Sequence, residues 1–252
     1  MAEPNKKARR ASPKVLVAAG VVAALAIVGI VVGVKGGSSD STTEPAGSSG
    51  TATTSAQALE QAAAVEKLFA GIPQQGNQIG DPNAPAAMIE YVDIQCPYCA
   101  QFEAEAMPAV IKKYVRTGKV FVEMRPIASL GGESQRGRLA MIAAGLQGKF
   151  FQMTQLLYLN QGTENTGWLT KGLVRRAAAS IDGLDSAQLF QDMNSSTAIR
   201  QGGIFDSQAR SAAIAVTPTI YVGKNGAALH PVTLAFPGDD ATIARAIEAA
   251  NK

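Results

Sequence analysis

Cys96 and Cys99 are the only cysteines in a chain of 252 residues, and they stand two residues apart in the stretch DIQCPYCAQFE, residues 93–103. Thiols at that spacing can help bind a metal, staple the chain, or exchange electrons. A structural zinc site needs four ligands, but the single histidine, His230, lies far downstream and no carboxylates are spaced to help. A purely structural bridge closing so short a loop constrains little unfolded-chain entropy. Redox chemistry is the use that remains.

The positive case rests on the elements that position Cys96. Residues 87–92 form a short apolar run, predicted as a strand. CAQFEAEAMPAVIKKYV has helical spacing, with Phe102, Met107 or Val110, and Ile111 on one side and a kink expected at Pro108. Cys96 therefore falls at a strand–helix junction, where unpaired backbone N–H groups and the helix dipole favour negative charge. A thiolate there is stabilised below the ~8.5 of a free cysteine. Pro97 suits the first helical turn, where its missing N–H costs nothing. Cys99 follows nearly one turn later on the same side and can close a disulfide that breaks and reforms through a mixed disulfide. A C-x-x-C after a strand and opening a helix is more specific than the motif alone.

The rest of the folded part supplies the frame. ALEQAAAVEKLFAGI reads as a lead-in helix, GDPNAP as a turn, and KVFVEMRPI as a second strand. From about 133 to 213 the signals are helical, with an N-cap expected at Asp185 ahead of Gln188. TPTIYVG and LHPVTLAFPG read as a closing strand pair, and DDATIARAIEAAN as a terminal amphipathic helix. Without the helical block, a β-α-β unit and a β-β-α unit remain, an α/β arrangement with one mixed sheet flanked by helices.

IEYVDIQCPYCAQFE, preceded by GDPNAP and followed far downstream by VTPTIYV, resembles the DsbA-like thiol:disulfide oxidoreductases of the thioredoxin superfamily. The resemblance covers residues 79–251. It implies a thioredoxin-like fold with a helical insertion, an exposed nucleophile at Cys96 and a buried resolving cysteine at Cys99. It implies that Pro218, after Thr217, is a cis-proline whose loop faces the active site and pairs with substrate backbone. Glu90 matches a buried acid that takes or gives the Cys99 proton; its plainer alternative is a carboxylate on a strand's polar face. Pro97, Tyr98 and Thr217 hold positions that tune redox poise. Tyr98 departs from the strongly oxidising members, which carry His there, so a milder oxidant is expected. Asp93 either caps the turn or is a solvated loop acid. The family needs no prosthetic group. Its implied partners are thiol-containing exported proteins and a quinone-coupled membrane protein of the DsbB or vitamin K epoxide reductase-like type.

Topology is read from the N-terminus. Residues 15–34, VLVAAGVVAALAIVGIVVGV, carry no charge and span ~30 Å as a helix, the thickness of a bilayer core. A basic tail at 1–14 precedes this run, so the positive-inside rule places the N-terminus in the cytoplasm and the rest outside. The run is longer than a signal-peptide core and no convincing cleavage site follows, which favours an uncleaved anchor. Gly29 and Gly33 form a weak helix-pairing motif. Residues 35–57 are a Gly/Ser/Thr-rich tether, and 58–252 the thioredoxin-like domain. The formal charge of +3 is carried by the start, because six of the 23 Lys and Arg lie within the first 35 residues. The remainder holds 17 basic against 19 acidic residues, which excludes a nucleic-acid-binding body.

The expected activity is therefore that of a membrane-anchored, extracytoplasmic oxidoreductase introducing disulfides. Its rivals are a reductase or isomerase of the same fold, since C-P-Y-C also occurs in glutaredoxins and some isomerases, and a tethered chaperone. His230 is expected at the surface, Trp168, Phe150, Phe151 and Tyr158 in the core, and Arg175 and Arg176 on a solvated helix face.

Overall fold

The structure, a computed structural model, describes residues 59–252. The basic tail, the apolar run at 15–34 with Gly29 and Gly33, and the tether at 35–57 lie outside the described residues. Among the described residues no helix is long and apolar enough to cross a membrane.

Helix α1 (Ala62–Phe69) buries Val65 and Phe69. Two short strands, β1 (Gln74–Gln75) and β2 (Gln78–Ile79), then form a hairpin around Gly76, whose φ of +57° suits glycine. Two-residue strands made largely of glutamine carry no alternating pattern, so the sequence does not mark them. Strand β3 (Ala86–Val92) is buried along almost its whole length. Helix α2 (Pro97–Glu105) starts with proline in its first turn and has Cys96 as its N-cap residue. The helix breaks at Ala106 and restarts as α3 (Met107–Val110), followed by a π-helical turn at Ile111–Val115. The expected kink has its cause in Pro108, which lacks the N–H for the preceding turn and crowds that turn with its ring.

Strand β4 (Val120–Pro126) alternates buried and half-buried residues. Five helices follow: α4 (Gly132–Leu146), α5 (Phe150–Leu159), α6 (Lys171–Ala179), α7 (Ser186–Asp192) and α8 (Ser196–Ser211). Asp185 caps α7, its carboxylate accepting from the amides of Ala187 and Gln188. Strands β5 (Thr219–Lys224) and β6 (His230–Val232) and helix α9 (Asp240–Ala250) close the chain. The sheet order is β1-β2-β4-β3-β5-β6, with β3 and β4 parallel and the other pairs antiparallel.

Successive strand residues point to opposite faces, so Ala86, Met88, Glu90 and Val92 share one face of β3. The three apolar members lie in the main core with Phe102 of α2 and Ile243 and Ile247 of α9. Glu90 stands among them, opposite Met124 on β4 and Ile220 on β5.

The insertion presses on the segment between β3 and α2. A Cβ at Gly137 of α4 would come within 2.5 Å of Ile94 Cγ2 and 2.8 Å of Leu169 Cδ2. Gly137→Ala is therefore expected to destabilise the fold by about 1–3 kcal/mol through overpacking. Denaturant unfolding checks this, and unchanged stability would show that α4 does not bear on Ile94.

Candidate active site

The turn from Asp93 to Cys96 is held from several sides. Asp93 is fully buried, which removes the solvated-acid alternative. Its Oδ1 accepts from the Gln95 amide at 2.9 Å and the Ser134 hydroxyl at 2.6 Å. Its Oδ2 accepts from the Ser129 amide and hydroxyl at 2.8 and 3.0 Å and from the Leu130 amide at 3.1 Å. The Asp93 carbonyl accepts from the Cys96 amide at 3.0 Å and from the Tyr158 hydroxyl at 3.1 Å. Gln161 donates to the carbonyls of Ile94 and Cys96, and the Gln95 side chain bonds Leu130, Ser134 and Asn165. The insertion therefore supplies Ser134, Tyr158, Gln161 and Asn165 as braces. Of these, Tyr158 was expected only as core packing, and single polar residues of a helix or loop carry no sequence signal for such a task.

This frame fixes the two thiols in different surroundings. Cys96 is 6 % exposed, so it is not the open nucleophile the resemblance implied. The Thr217–Pro218 loop, whose peptide bond is cis, approaches it, with the Thr217 carbonyl oxygen 3.2 Å from Cys96 Sγ. Its pKa is lowered to about 6, chiefly by a hydrogen bond from the Cys99 thiol. Burial opposes this, while the Thr217 side chain and the amides of Cys99 and Tyr98 reinforce it. Cys99 has no exposure, and burial followed by the neighbouring Cys96 pushes its pKa well up. At neutral pH, Cys96 is the thiolate and Cys99 the thiol.

Glu90 is on the buried face of its strand, not a polar one, with 0 % exposure. Burial, then repulsion from Glu103, holds its pKa well above the carboxylate range. Glu103, on α2 and 2 % exposed, was not singled out from sequence. Its position four residues after Cys99 was the available signal, since such residues share a helix face. Outside the pocket, Tyr98 is 61 % exposed and Val216 70 %, two apolar side chains on the segments that carry Cys96 and Thr217. His230 is exposed on β6, Arg175 and Arg176 are exposed on α6, and Arg175 stacks over Phe190. Among the described residues no three His, Cys, Asp or Glu side chains gather as metal ligands would.

A family model for thioredoxin matches residues 74–234, more than half of the chain. The chain belongs to the thioredoxin family. A probable disulfide bond formation protein D from Bacillus cereus is 25% identical over 162 residues, covering 63% of this chain and 74% of that protein. The oxidised BdbD structure from Bacillus subtilis superposes with a TM-score of 0.61 at 23% identity, covering 71% of this chain and 97% of that one. Wolbachia pipientis alpha-DsbA1 gives 0.60 at 20% identity, covering 74% and 95%. This thioredoxin-family protein has the DsbA-like fold, with helices inserted between β4 and β5, and it is a thiol:disulfide oxidoreductase.

Two measurements check the site. The thiolate absorbance of the reduced protein should titrate with a midpoint near 6, vanish in Cys96→Ser, and move upward in Thr217→Val. A midpoint near ~8.5, the free-cysteine value, would contradict the geometry. Because the folded pKa is depressed, this contribution to the reduced form is present above the unfolded pKa and lost as pH falls through about 6. Separately, Asp93→Ala leaves five donor bonds without their acceptor. It is expected to cost roughly 3 kcal/mol or more in denaturant unfolding.

Proposed function

We propose that this oxidoreductase introduces disulfide bonds into exported proteins from outside the cytoplasm, tethered by the apolar segment at 15–34. The observation that carries this is the low pKa of Cys96, about 6. A thiolate so stabilised favours the reduced protein, which makes its disulfide a good donor, and it leaves readily from a mixed disulfide. No cation contributes to that stabilisation, and Tyr98 supplies none. The value lies between the ≈ 3.5 of a strong oxidant and the ≈ 7 of a reductant such as thioredoxin. The expected behaviour is that of a mild oxidant.

In the proposed cycle a client thiolate attacks Cys96 Sγ of the disulfide. The Cys96–Cys99 bond breaks, Cys99 leaves with the electron pair, and a client–Cys96 bond forms. A second client thiolate then attacks the client sulfur, and Cys96 leaves as thiolate. The client gains a disulfide and the protein holds two electrons as its dithiol. Pro218 and the Thr217 carbonyl lie where a client backbone passes Cys96, and Tyr98 and Val216 give an apolar border for unfolded chain. Glu90 supplies or takes the Cys99 proton. A quinone-coupled membrane protein of the DsbB or vitamin K epoxide reductase-like type would restore the disulfide.

Cys99→Ala blocks intramolecular release of a client attached to Cys96. Expressed in the source cell, it should accumulate mixed disulfides with exported thiol proteins that are absent from Cys96→Ser. Failure to trap any such client would sink the reading. Full biological activity in Cys96→Ser would instead favour a client-gripping role without redox chemistry.

A further inference from the structure

The helix run that opens with the cysteine pair also walls a surface trough of about 650 Å³. Residues four apart share a helix face, and Ala104, Pro108, Lys112 and Arg116 keep that spacing from α2 through α3 and the π-helical turn. Helix α1 contributes Ala64, Lys67 and Leu68. Helix α5 contributes Leu159 and the buried Gln155, whose Nε2 donates to the Glu103 carbonyl at 2.9 Å.

Hydrogen bonds between the walls give the trough two unlike ends. At one, Asn160 after α5 donates to the Gln61 side chain ahead of α1 at 3.4 Å. At the other, Arg116 donates to the Leu68 and Ala70 carbonyls at the C-terminus of α1, at 2.7 and 2.9 Å. Leu159 and Ala64 therefore stand toward the first end, and Lys67 and Lys112 toward the second. Ala104 lies ~18 Å along its run from Arg116 at the rise of a helix.

No acid answers these cations. None of the ten residues lining the trough is Asp or Glu. Among the described residues Lys67, Lys112 and Arg116 make no ion pair, whereas the adjacent Lys113 meets Asp240 at 3.7 Å. The acids on the same helices are turned elsewhere: Glu103 is buried, Glu66 accepts from the Asp182 amide, and Glu105 accepts from the Gln101 side chain. Because the chain beyond residue 35 carries a slight acidic excess, three unanswered cations around one trough are a local feature.

We propose that this trough binds a single-chain amphiphile with an anionic head, of the long-chain fatty acid class. Its hydrocarbon would lie along Leu159, Ala64, Ala104 and Pro108, and its carboxylate between Lys67 and Lys112. Such a molecule is apolar along its length and charged at one end, which is the pattern of the walls. Arg116, spent on the α1 carbonyls, holds the charged end together. The volume suits one small molecule. A stable protein interface instead takes roughly 20–30 residues a side. The site does not depend on the direction of thiol–disulfide exchange.

The test uses the full chain in phosphatidylcholine nanodiscs, with a diazirine analogue of palmitate as the probe and the matching fatty alcohol as its neutral counterpart. On illumination the acid should label α1, α5 and the 104–116 run roughly 10-fold or more above the alcohol, since each lysine adds attraction for an anionic head. Lys67→Gln with Lys112→Gln should bring the acid down to the alcohol's level and leave glutathione exchange at Cys96 unchanged. Ala64→Trp, which fills the apolar end, should lower labelling by both probes.

Acid labelling that only matches the alcohol's, survives the lysine variants or falls outside these helices would overturn the proposal. So would labelling by a diazirine phosphatidylglycerol but not by the palmitate analogue, which would place a two-chain bilayer lipid there. Should Ala64→Trp fail to fold, the lysine variants still decide, because both side chains are exposed. Retention of the chain in the nanodisc reports on the tether separately, and the probe reads the trough in either case.

Discussion

The Asp93 carboxylate, sealed from water, gathers five hydrogen bonds from the turn after β3, the loop after β4 and the first turn of α4. A buried charge is tolerated only when it is bonded this completely. Because every one of those donors comes from the 93–134 region, the acid ties the strand, the active-site turn and the start of the insertion into one rigid corner. Its carbonyl continues the tie, accepting from Cys96 of α2 and Tyr158 of α5. Cys96 sits at the open end of α2 because that corner leaves it nowhere else to go.

From that placement follows the division of labour between two chemically identical thiols. Cys96 faces the amides of the first helical turn and the Thr217 loop, and its negative form is favoured. Cys99, a turn deeper, is sealed from solvent in the core beside Cys96, and keeps its proton. The hydrogen bond between them reinforces both tendencies at once, lowering Cys96 and raising Cys99. A thiolate and a thiol held in contact in this way can exchange a disulfide in either direction, and the stability of the thiolate sets which direction is favoured.

Much of this was legible from sequence. The strand at β3, the helix opening at Pro97, the kink at Pro108, the closing strand pair and the cap at Asp185 each follow from local rules that depend on a few neighbouring residues. The bracing of the turn does not. Ser134, Gln161 and Asn165 reach it from 39 to 70 residues away, and their type and spacing say nothing of where the fold brings them. Glu90 was read through a family likeness, because an acid in a strand has a polar face by default and only the sheet register shows that this one faces the core. Cys96 lost its expected exposure for a related reason: the covering loop at Thr217 comes from the far side of the insertion.

The stability of the Cys96 thiolate has one direct thermodynamic consequence, the equilibrium reduction potential of the Cys96–Cys99 pair against glutathione. A depressed thiolate pKa stabilises the dithiol and raises that potential. A donor of disulfides with this site should lie near roughly −120 to −180 mV. A potential near roughly −270 mV would make the disulfide a poor donor and the dithiol a good reductant, and the account of the protein as an oxidant would be wrong.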